Sequence, residues 1–583
     1  MREAATPIHA ASRPDAEWWR HAVIYQIYPR SWADSDGDGL GDLPGITARL
    51  GHLRELGVDA IWLSPFYTSP QADAGYDVAD YRDVDPIFGE LSDADALIER
   101  AHDLGLRVIA DLVPNHSSDE HEWFKAALAA GPGSVERELY MFREGQGEHG
   151  ELPPNNWESV FGGPAWTRVT EADGRPGQWY LHLFDTKQPD FNWEHPRVRS
   201  EFESILRFWL DRGIDGFRVD VAHGLIKEAG LPDWDERTTM LGDTIDHEGH
   251  QHSLAELAHD ADTRPDHRLH TPFWDQDGVH EVYRAWRRVL EEYGTPDRIL
   301  CAEAWVEPQS RAVRYVRPDE MHQAFNFDFL TAPWVARELR AVIESSLRAA
   351  DSVGAPSTWV LSNHDVVRHA SRLGLPVGTP RPNGISAQDP QPDTALGLKR
   401  ARAATTLMLA LPGGAYLYQG EELGLPDSTD MPDEFRQDPT FARTGGVETG
   451  RDGCRVPIPW VKDAPGFGFG PTEQTWLPQP SRYGTYAVDQ QVGVEGSTLE
   501  LYRTLLRVRR ELALGTGSLT LVEGYGEDVV ALANAEEGRD RVLVVANLGA
   551  EAVRLPEGVH VLVSSAPIVD DLVPTDVAVW ARW

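Results

Sequence analysis

Short apolar runs alternate with helical patterns along most of this chain, and this alternation constrains the fold more than any other feature. After the first apolar run, Ile46, Leu50 and Leu53 fall on one face of a predicted helix. Asp42 can cap the N-terminus of this helix. Eight strands separated by helices predict an α/β fold, a (β/α)8 TIM barrel. An open doubly wound sheet would require a glycine-rich phosphate loop after the first strand, and the sequence has none there. The predicted strands span residues 22–28, 58–63, 106–112, 214–221, 298–304, 324–329, 358–361 and 415–418.

The barrel pattern is interrupted once and ends before the C-terminus. Residues 117–187 are rich in Gly, Pro and Trp and lack a βα period, which predicts an irregular inserted subdomain after strand three. The barrel domain is therefore predicted to comprise residues 1–116 and 188–514. From residue 515 to 583, short β-rich runs with polar turns predict a C-terminal antiparallel β-domain.

Composition argues against several classes of partner. The chain has 583 residues and a formal net charge of −39, which should repel nucleic acid and anionic membranes. Its two cysteines, Cys301 and Cys454, do not suggest a disulfide framework. No apolar leader or membrane-spanning stretch is visible, so we expect a cytoplasmic protein that acts on small neutral molecules. The oligomeric state stays open.

Three carboxylates stand just after predicted strands. Asp220 ends Gly-Phe-Arg-Val-Asp, Glu303 is central in Cys-Ala-Glu-Ala-Trp, and Asp365 ends Asn-His-Asp. The C-terminal ends of barrel strands share one mouth, where TIM-barrel active sites lie. Glycosidic bond cleavage needs two carboxyl groups there, one of them protonated. Arg218 points to the same face as Asp220 because strand side chains alternate, and we expect its charge to keep Asp220 ionised.

These motifs, together with Asp-Leu-Val-Pro-Asn-His at the end of strand three, resemble the α-amylase family (glycoside hydrolase family 13) in type and order. The run Gln-Pro-Asp-Phe-Asn that begins at Gln188 resembles the variant found in oligo-1,6-glucosidases and related α-glucosidases. The resemblance covers nearly the whole chain. It implies that Asp220 is the nucleophile, that Glu303 is the acid/base, and that Asp365 stabilises the transition state.

The resemblance also implies a sugar pocket. Tyr76 matches a tyrosine that stacks on the reactive sugar. Asp77 and Arg455 match a pair that closes the pocket behind one terminal glucose, although the run that begins at Arg455 departs from the usual family pattern. Phe161 and Trp166 are candidate walls of the pocket, with core packing as the alternative for both. The implied substrate-binding residues are Tyr76, Asp77, His116, Phe161, Arg218, His364 and Arg455. Both histidines have a purely structural role as their alternative.

The loop after the first strand, Asp-Ser-Asp-Gly-Asp-Gly-Leu-Gly-Asp, has the oxygen spacing of a calcium loop. Gly45 stands where an EF-hand has its bidentate glutamate. The resembling α-glucosidases carry a divalent ion in such a loop. We therefore expect a structural Ca²⁺ site, with Mg²⁺ or a metal-free turn as alternatives. Its ligands would be Asp34, Asp36, Asp38, Leu40 and Asp42.

The expected function is a retaining exo-α-glucosidase that releases glucose from maltose and short α-1,4-glucooligosaccharides through a covalent intermediate. Val221, after the nucleophile, accompanies α-1,6 activity in the resembling group, but Ala222, His223 and Gly224 depart from the oligo-1,6-glucosidase pattern. Oligo-1,6-glucosidase is therefore the second hypothesis. An α-glucosyltransferase or isomerase is the third, because a sugar can capture the same intermediate. A non-catalytic transporter scaffold fits poorly, since all three carboxylates are present.

Overall fold

The eight predicted strands close into a parallel barrel in a computed structural model of the protein. The structure describes residues 5–11, 17–238, 244–245, 251–252, 271–379 and 382–583. The last barrel strand pairs in parallel with the first and closes the barrel, which confirms the predicted fold class. The barrel strands are Val23–Ile27, Ala60–Leu63, Arg107–Leu112, Gly216–Val219, Ile299–Ala302, Gln323–Asn326, Thr358–Val360 and Gly414–Tyr418.

The barrel strands are buried on both faces, which explains why their sequences are continuous apolar runs rather than alternating ones. Every residue of Val23–Ile27 and of Gly414–Tyr418 is buried. Large side chains such as Trp62, Phe325 and Tyr416 pack together in one buried cluster. The C-terminal ends of these rigid strands are therefore fixed positions from which polar side chains can point into a common mouth.

Amphipathic helices cover the outside of the barrel. Asp42 accepts the N–H of Gly45, so the predicted cap is formed, and Ser497 accepts the N–H of Glu500 at the start of another helix. None of the helices in the described ranges combines the length and apolarity needed to cross a bilayer. The longer helices are Leu43–Leu56, Leu91–Asp103, Pro196–Asp211, Val279–Glu291, Ala336–Val353, Thr394–Met408 and Thr498–Glu511. Shorter ones are Gln309–Ala312, Phe327–Thr331, His369–Arg372 and Pro439–Arg443.

The insertion after strand three contains more regular structure than the sequence predicts. Its helix Glu122–Ala130 is followed by an antiparallel sheet of Phe142–Arg143, Pro176–Leu181 and Trp166–Thr170. Trp166 is buried and donates to Asn155 Oδ1 at 2.6 Å, so this tryptophan belongs to the subdomain core. The strands are short and their sequences do not alternate cleanly, so periodicity alone does not reveal them.

The predicted C-terminal antiparallel β-domain is confirmed, and the N-terminus contributes to it. Ala5–His9 pairs with Ser518–Val522 at one edge of a six-stranded sheet. The sequence analysis placed these N-terminal residues with the barrel, because a pairing across more than 500 positions leaves no local pattern. The remaining strands, in spatial order, are Val529–Ala535, Val542–Asn547, Val577–Arg582 and His560–Ser564.

Candidate active site

One guanidinium group holds both predicted catalytic carboxylates at the ends of strands four and five. Arg218 Nη1 donates to Asp220 Oδ1 at 2.7 Å, and Nη2 lies 3.2 Å from Glu303 Oε2. Nη1 also donates to Asp111 Oδ1 at 2.9 Å, and all four side chains are buried. Because neighbouring nitrogens of one planar group bind both carboxylates, Asp220 and Glu303 lie side by side at the barrel mouth.

The chain turns sharply immediately after Asp220. Val221 has a φ of 44°, a conformation that is rare for a β-branched residue. Its N–H donates to Glu303 Oε2 at 2.7 Å. Strained backbone of this kind is found at active sites, where the surrounding structure holds it in place. The turn therefore ties the segment that carries Asp220 to the carboxyl group of Glu303.

Burial determines the charge state of this carboxyl pair. It raises the pKa of Asp220 well above its usual range and also raises the pKa of Glu303, and other carboxylates add to both shifts. Arg218 lowers both pKa values, which is the direction that the sequence analysis expects for Asp220, but burial outweighs it. The pair retains a proton at a pH at which two isolated carboxyl groups would both be ionised.

Asp365 is the anion of the site. Its Oδ1 accepts from Arg451 Nη1 at 2.9 Å and from Arg455 Nη2 at 3.0 Å. Its Oδ2 lies 3.2 Å from His364 Nε2. Burial opposes ionisation, but the positive charges of Arg451 and Arg455 lower the pKa of Asp365 below its usual range. A carboxylate that stays negative is suited to stabilise positive charge in a transition state.

The pocket wall uses a different ion pair from the one that the sequence predicts. Arg455 donates to a backbone carbonyl at 2.8 Å and to Asp365, while Asp77 accepts two N–H groups of its own loop at 2.8 and 2.9 Å. The loops after strands two and eight are joined by Asp73 and Arg451 at 2.9 Å. The predicted Asp77–Arg455 pair is therefore wrong. Arg451 and Arg455 lie in one short segment, and spacing alone does not show which arginine meets which aspartate.

Arg451 is the centre of the wall and was missed by the sequence analysis. Besides Asp73 and Asp365, it binds Asp438, whose Oδ2 accepts from Nε at 2.6 Å. Its guanidinium carbon lies 5.2 Å from the centroid of the Phe161 ring. Phe161 is fully buried, so this predicted wall residue contacts the site while also packing in the subdomain core. Buried charges need partners, and Arg451 satisfies three carboxylates at once.

Tyr76 and His364 stack on each other, with ring centroids 5.2 Å apart and an interplanar angle of 7°. The side-chain amide of Gln26 donates from its Nε2 to His364 Nδ1 at 2.7 Å. The imidazole hydrogen of His364 therefore lies on the other ring nitrogen, His364 Nε2. That buried Nε2 has no hydrogen-bond partner in the described part of the chain. Burial lowers the pKa of His364 well below its usual range, so the ring is neutral. His364 Nε2 therefore lies 3.2 Å from Asp365 Oδ2 without a hydrogen bond to it, and the sugar-binding role of His364 stays a prediction.

His116 is engaged on both ring nitrogens. Asn115 Nδ2 lies 3.2 Å from Nδ1, and the carbonyl oxygen of Tyr76 lies 3.1 Å from Nε2. Gln188 Nε2 lies 3.1 Å from His116 Nε2 and donates to Asp73 Oδ2 at 3.2 Å. Burial lowers the pKa of His116 to about 4. These contacts match the structural alternative for His116, and its sugar-binding role stays a prediction.

Part of the predicted metal loop gathers into one cluster. Carboxylate oxygens of Asp34, Asp36 and Asp42 lie within 4.8 Å of one another. Asp38 stands outside this group, and its Oδ1 accepts the N–H of Leu40 at 2.8 Å. Carboxylate oxygens are the ligands that Ca²⁺ and Mg²⁺ prefer. The donor set therefore fits a hard divalent cation through three of the five predicted ligands.

Comparison with protein families and named relatives gives consistent results. Residues 26–517 match the family described as alpha amylase, catalytic domain. A probable alpha-glucosidase of Rhizobium meliloti (strain 1021) is 36% identical over 92% of this chain and 91% of its own length. An oligo-1,6-glucosidase of Parageobacillus thermoglucosidasius is 32% identical over 93% of this chain and 92% of its own length. Maltase 1 of Drosophila virilis is 36% identical over 91% of this chain and 78% of its own length.

Solved structures with the same fold include a glucosyl transfer enzyme and a trehalulose synthase. The alpha-glucosyl transfer enzyme XgtA superposes with a TM-score of 0.80 at 34% identity, over 97% of this chain and all (100%) of its own. A trehalulose synthase, MutB, superposes with a TM-score of 0.79 at 28% identity, over 97% and 100%. Both solved structures therefore share the fold of this chain over nearly its whole length.

Proposed function

Because the chain belongs to the α-amylase family of glycoside hydrolases, we propose that it is a retaining exo-α-glucosidase acting on maltose and short α-1,4-glucooligosaccharides. The observation that carries the proposal is the arrangement at the barrel mouth. Arg218 holds Asp220 beside Glu303, and two further arginines hold Asp365 as an anion. Retaining enzymes need their two carboxyl groups about 5–5.5 Å apart, and a shared guanidinium is suited to keep them close.

In the proposed reaction, Asp220 attacks the anomeric carbon while Glu303 donates a proton to the departing oxygen. Glu303 then takes a proton from water, which hydrolyses the covalent intermediate and releases α-glucose. Glu303 Oε2 accepts from Val221 and lies 3.2 Å from Arg218 Nη2. Within the described ranges, Oε1 accepts only the bond from Trp305 Nε1 at 3.1 Å, so Oε1 is the oxygen that we propose carries the proton. Asp365 offsets the positive charge that develops on the sugar ring.

The proposed exo action rests on the link between Asp73 and Arg451. This ion pair joins the loops after strands two and eight, and Phe161 packs against it. A wall at this place leaves room for a single glucose unit behind the scissile bond. We therefore propose that glucose is released one unit at a time from the non-reducing end.

Transfer of the glucosyl group to a sugar is the second candidate function. It is favoured by the similarity to the alpha-glucosyl transfer enzyme XgtA and needs the same covalent intermediate. Activity on α-1,6 linkages is the further alternative, favoured by Val221 and by the similarity to oligo-1,6-glucosidases. We also propose that Asp34, Asp36 and Asp42 hold a structural Ca²⁺.

Replacing the proposed nucleophile tests the central assignment. Asp220→Asn is expected to lower glucose release from maltose and from p-nitrophenyl α-glucoside by roughly 10⁴-fold or more, because the amide cannot form the covalent intermediate. Asp463→Asn, at an exposed carboxylate, is the matched control and should keep wild-type activity. Substantial activity of Asp220→Asn on both substrates would contradict the assignment.

Product analysis separates the alternatives. A retaining mechanism releases α-glucose before mutarotation, which NMR spectroscopy of early time points detects, and initial β-glucose would exclude it. Maltose is expected to be the better substrate, and a clear preference for isomaltose would favour the oligo-1,6-glucosidase hypothesis. At high maltose concentration, each transfer to maltose yields one trisaccharide and one glucose, whereas each hydrolysis yields two glucoses. An initial trisaccharide-to-glucose ratio near 1 would therefore identify a transferase, and a ratio near 0 a hydrolase.

A further inference from the structure

The loop after strand five is joined to the loop after strand six by three successive contacts. The rings of Trp305 and Phe327 are parallel, with centroids 3.8 Å apart and an interplanar angle of 3°. Two residues further on, the carboxyl group of Glu307 hydrogen-bonds to Asp328. Gln309 Nε2 donates to Asp328 Oδ2 at 2.5 Å. Every second residue from 305 to 309 therefore contacts one of the two adjacent residues 327 and 328.

The contact between Glu307 and Asp328 joins two acidic side chains. Such a bond forms only if one of the carboxyl groups keeps its proton and donates it. Burial and the bond to Asp328, with the charge of Asp328, raise the pKa of Glu307 to about 9. Asp328 Oδ2 already accepts from Gln309, so Glu307 is the group placed to donate and Asp328 is the group placed to accept. The proposed hydrolytic reaction assigns no role to either group.

Trp305 connects this pair to the proposed proton donor. Its Nε1 donates to Glu303 Oε1 at 3.1 Å. The other oxygen, Oε2, accepts the Val221 N–H at 2.7 Å. Hydrogen bonds to both oxygens fix the rotation of the carboxyl group, and Oε1 is the oxygen assigned above to deliver the proton. The position of the Trp305 ring therefore bears directly on proton transfer.

We propose that Glu307, through its hydrogen bond to Asp328, is a positioning residue for Glu303. The Glu307–Asp328 bond holds the two loops together, the stack on Phe327 holds the Trp305 ring, and the ring N–H aligns Glu303 Oε1. This inference rests on the proposed role of Glu303 as acid/base. It places Glu307 outside direct contact with the substrate, because its effect passes through Trp305.

Leaving groups of different basicity test the proposal. Proton donation matters most when the departing oxygen is basic, so phenyl α-glucoside depends on it more than p-nitrophenyl α-glucoside, which presents the same ring. Glu307→Ala is expected to lower kcat/KM for the phenyl substrate roughly 10-fold and for the p-nitrophenyl substrate about twofold or less. Glu307→Gln keeps a hydrogen-bond donor towards Asp328, so its kcat/KM for phenyl α-glucoside should lie within about threefold of the wild-type value. Glu557→Ala, at an exposed position, is the control.

Two results would overturn the proposal. If Glu307→Ala lowers kcat/KM equally for both substrates, Glu307 has a structural role alone. If the variant keeps wild-type kcat/KM for both substrates, Glu307 has no role in positioning Glu303. If Glu307→Ala does not fold, Trp305→Phe replaces it, since it keeps an aromatic ring that can stack on Phe327 and removes the N–H donor to Glu303. The same selective loss on phenyl α-glucoside is then expected, and its absence overturns the proposal. Failure of the proposed function is distinguishable, because the wild-type protein would then cleave neither substrate.

Discussion

At the scale of single residues, Asp365 influences both catalytic carboxyl groups through its charge. Burial raises the pKa of Asp220 and of Glu303, and the negative charge of Asp365 adds to each rise. The nucleophile must be ionised and the acid must be protonated, which gives a bell-shaped pH dependence of kcat/KM. A raised pKa of Asp220 moves the low-pH limb of this profile to higher pH. A raised pKa of Glu303 moves the high-pH limb in the same direction.

Asp365→Asn removes this charge, so both pKa values should fall. Both limbs of the residual kcat/KM profile are expected to move to lower pH, by on the order of 1 pH unit, while the maximum rate drops. The profile is measured with p-nitrophenyl α-glucoside, for wild type and variant, over the pH range in which both stay folded. Limbs that do not move would show that Asp365 does not control these ionisations.

At the scale of elements, Arg451 joins the loops after strands two and eight. It binds Asp73, Asp365 and Asp438, and lysine has no fork with which to bridge three carboxylates. Arg451→Lys is expected to lower kcat/KM for maltose roughly 100-fold, since about 3 kcal/mol is lost when a buried ion pair is broken. Steady-state kinetics measure the change.

The control for this substitution is Arg507→Lys, because Arg507 pairs with Glu511 on an exposed helix face. Exposed pairs contribute little, so this variant should match wild type. If Arg451→Lys keeps wild-type kcat/KM for maltose, the link to Asp73 is not part of the substrate pocket and the proposed exo wall must be placed elsewhere.

The first βα loop carries the proposed cation site. If Ca²⁺ binds the folded state, chelation should lower the melting temperature, because a ligand at 100 times its Kd contributes about 2.7 kcal/mol. Asp36→Asn removes a carboxylate of the cluster and should abolish the difference between Ca²⁺ and chelator. Asp38→Asn, outside the cluster, should preserve it. Equal melting temperatures of the wild type in Ca²⁺ and in chelator would rule out a stabilising site.

At the scale of the whole molecule, the C-terminal sheet is bonded to the barrel through Trp580. This residue is fully buried, and its Nε1 donates to the carbonyl oxygen of Thr406, at the end of helix Thr394–Met408, at 2.8 Å. Trp580→Ala is expected to lower the free energy of unfolding by about 3–5 kcal/mol through the cavity and the lost contacts. Denaturant unfolding followed by circular dichroism measures it.

Trp583→Ala is the matched control, because Trp583 is 39% exposed and ends the chain. It is expected to change stability by less than about 1 kcal/mol. The catalytic rate per folded molecule should be unchanged in both variants, since neither residue touches the barrel mouth. A loss for Trp580→Ala no larger than that for Trp583→Ala would mean that the two domains are stabilised independently.

Local periodicity was sufficient to predict the barrel. The run predicted over residues 358–361 forms Thr358–Val360, and the run over 415–418 forms Gly414–Tyr418. Buried parallel strands are apolar throughout, so each leaves a continuous signal in its own sequence. Ala5–His9 and the sheet of the insertion were missed, because short strands depend on partners that are distant in sequence.

By itself, the sequence determined which chemical groups stand at the ends of the barrel strands. Asp220, Glu303 and Asp365 were predicted because each follows an apolar run, and parallel strands must end at one mouth. Only the tertiary structure decided which loop side chains meet. Arg451 rather than Arg455 faces the loop after strand two, and Trp305 reaches Glu303. Such contacts depend on the path of loops between rigid elements, and no local pattern encodes the distance between two loops.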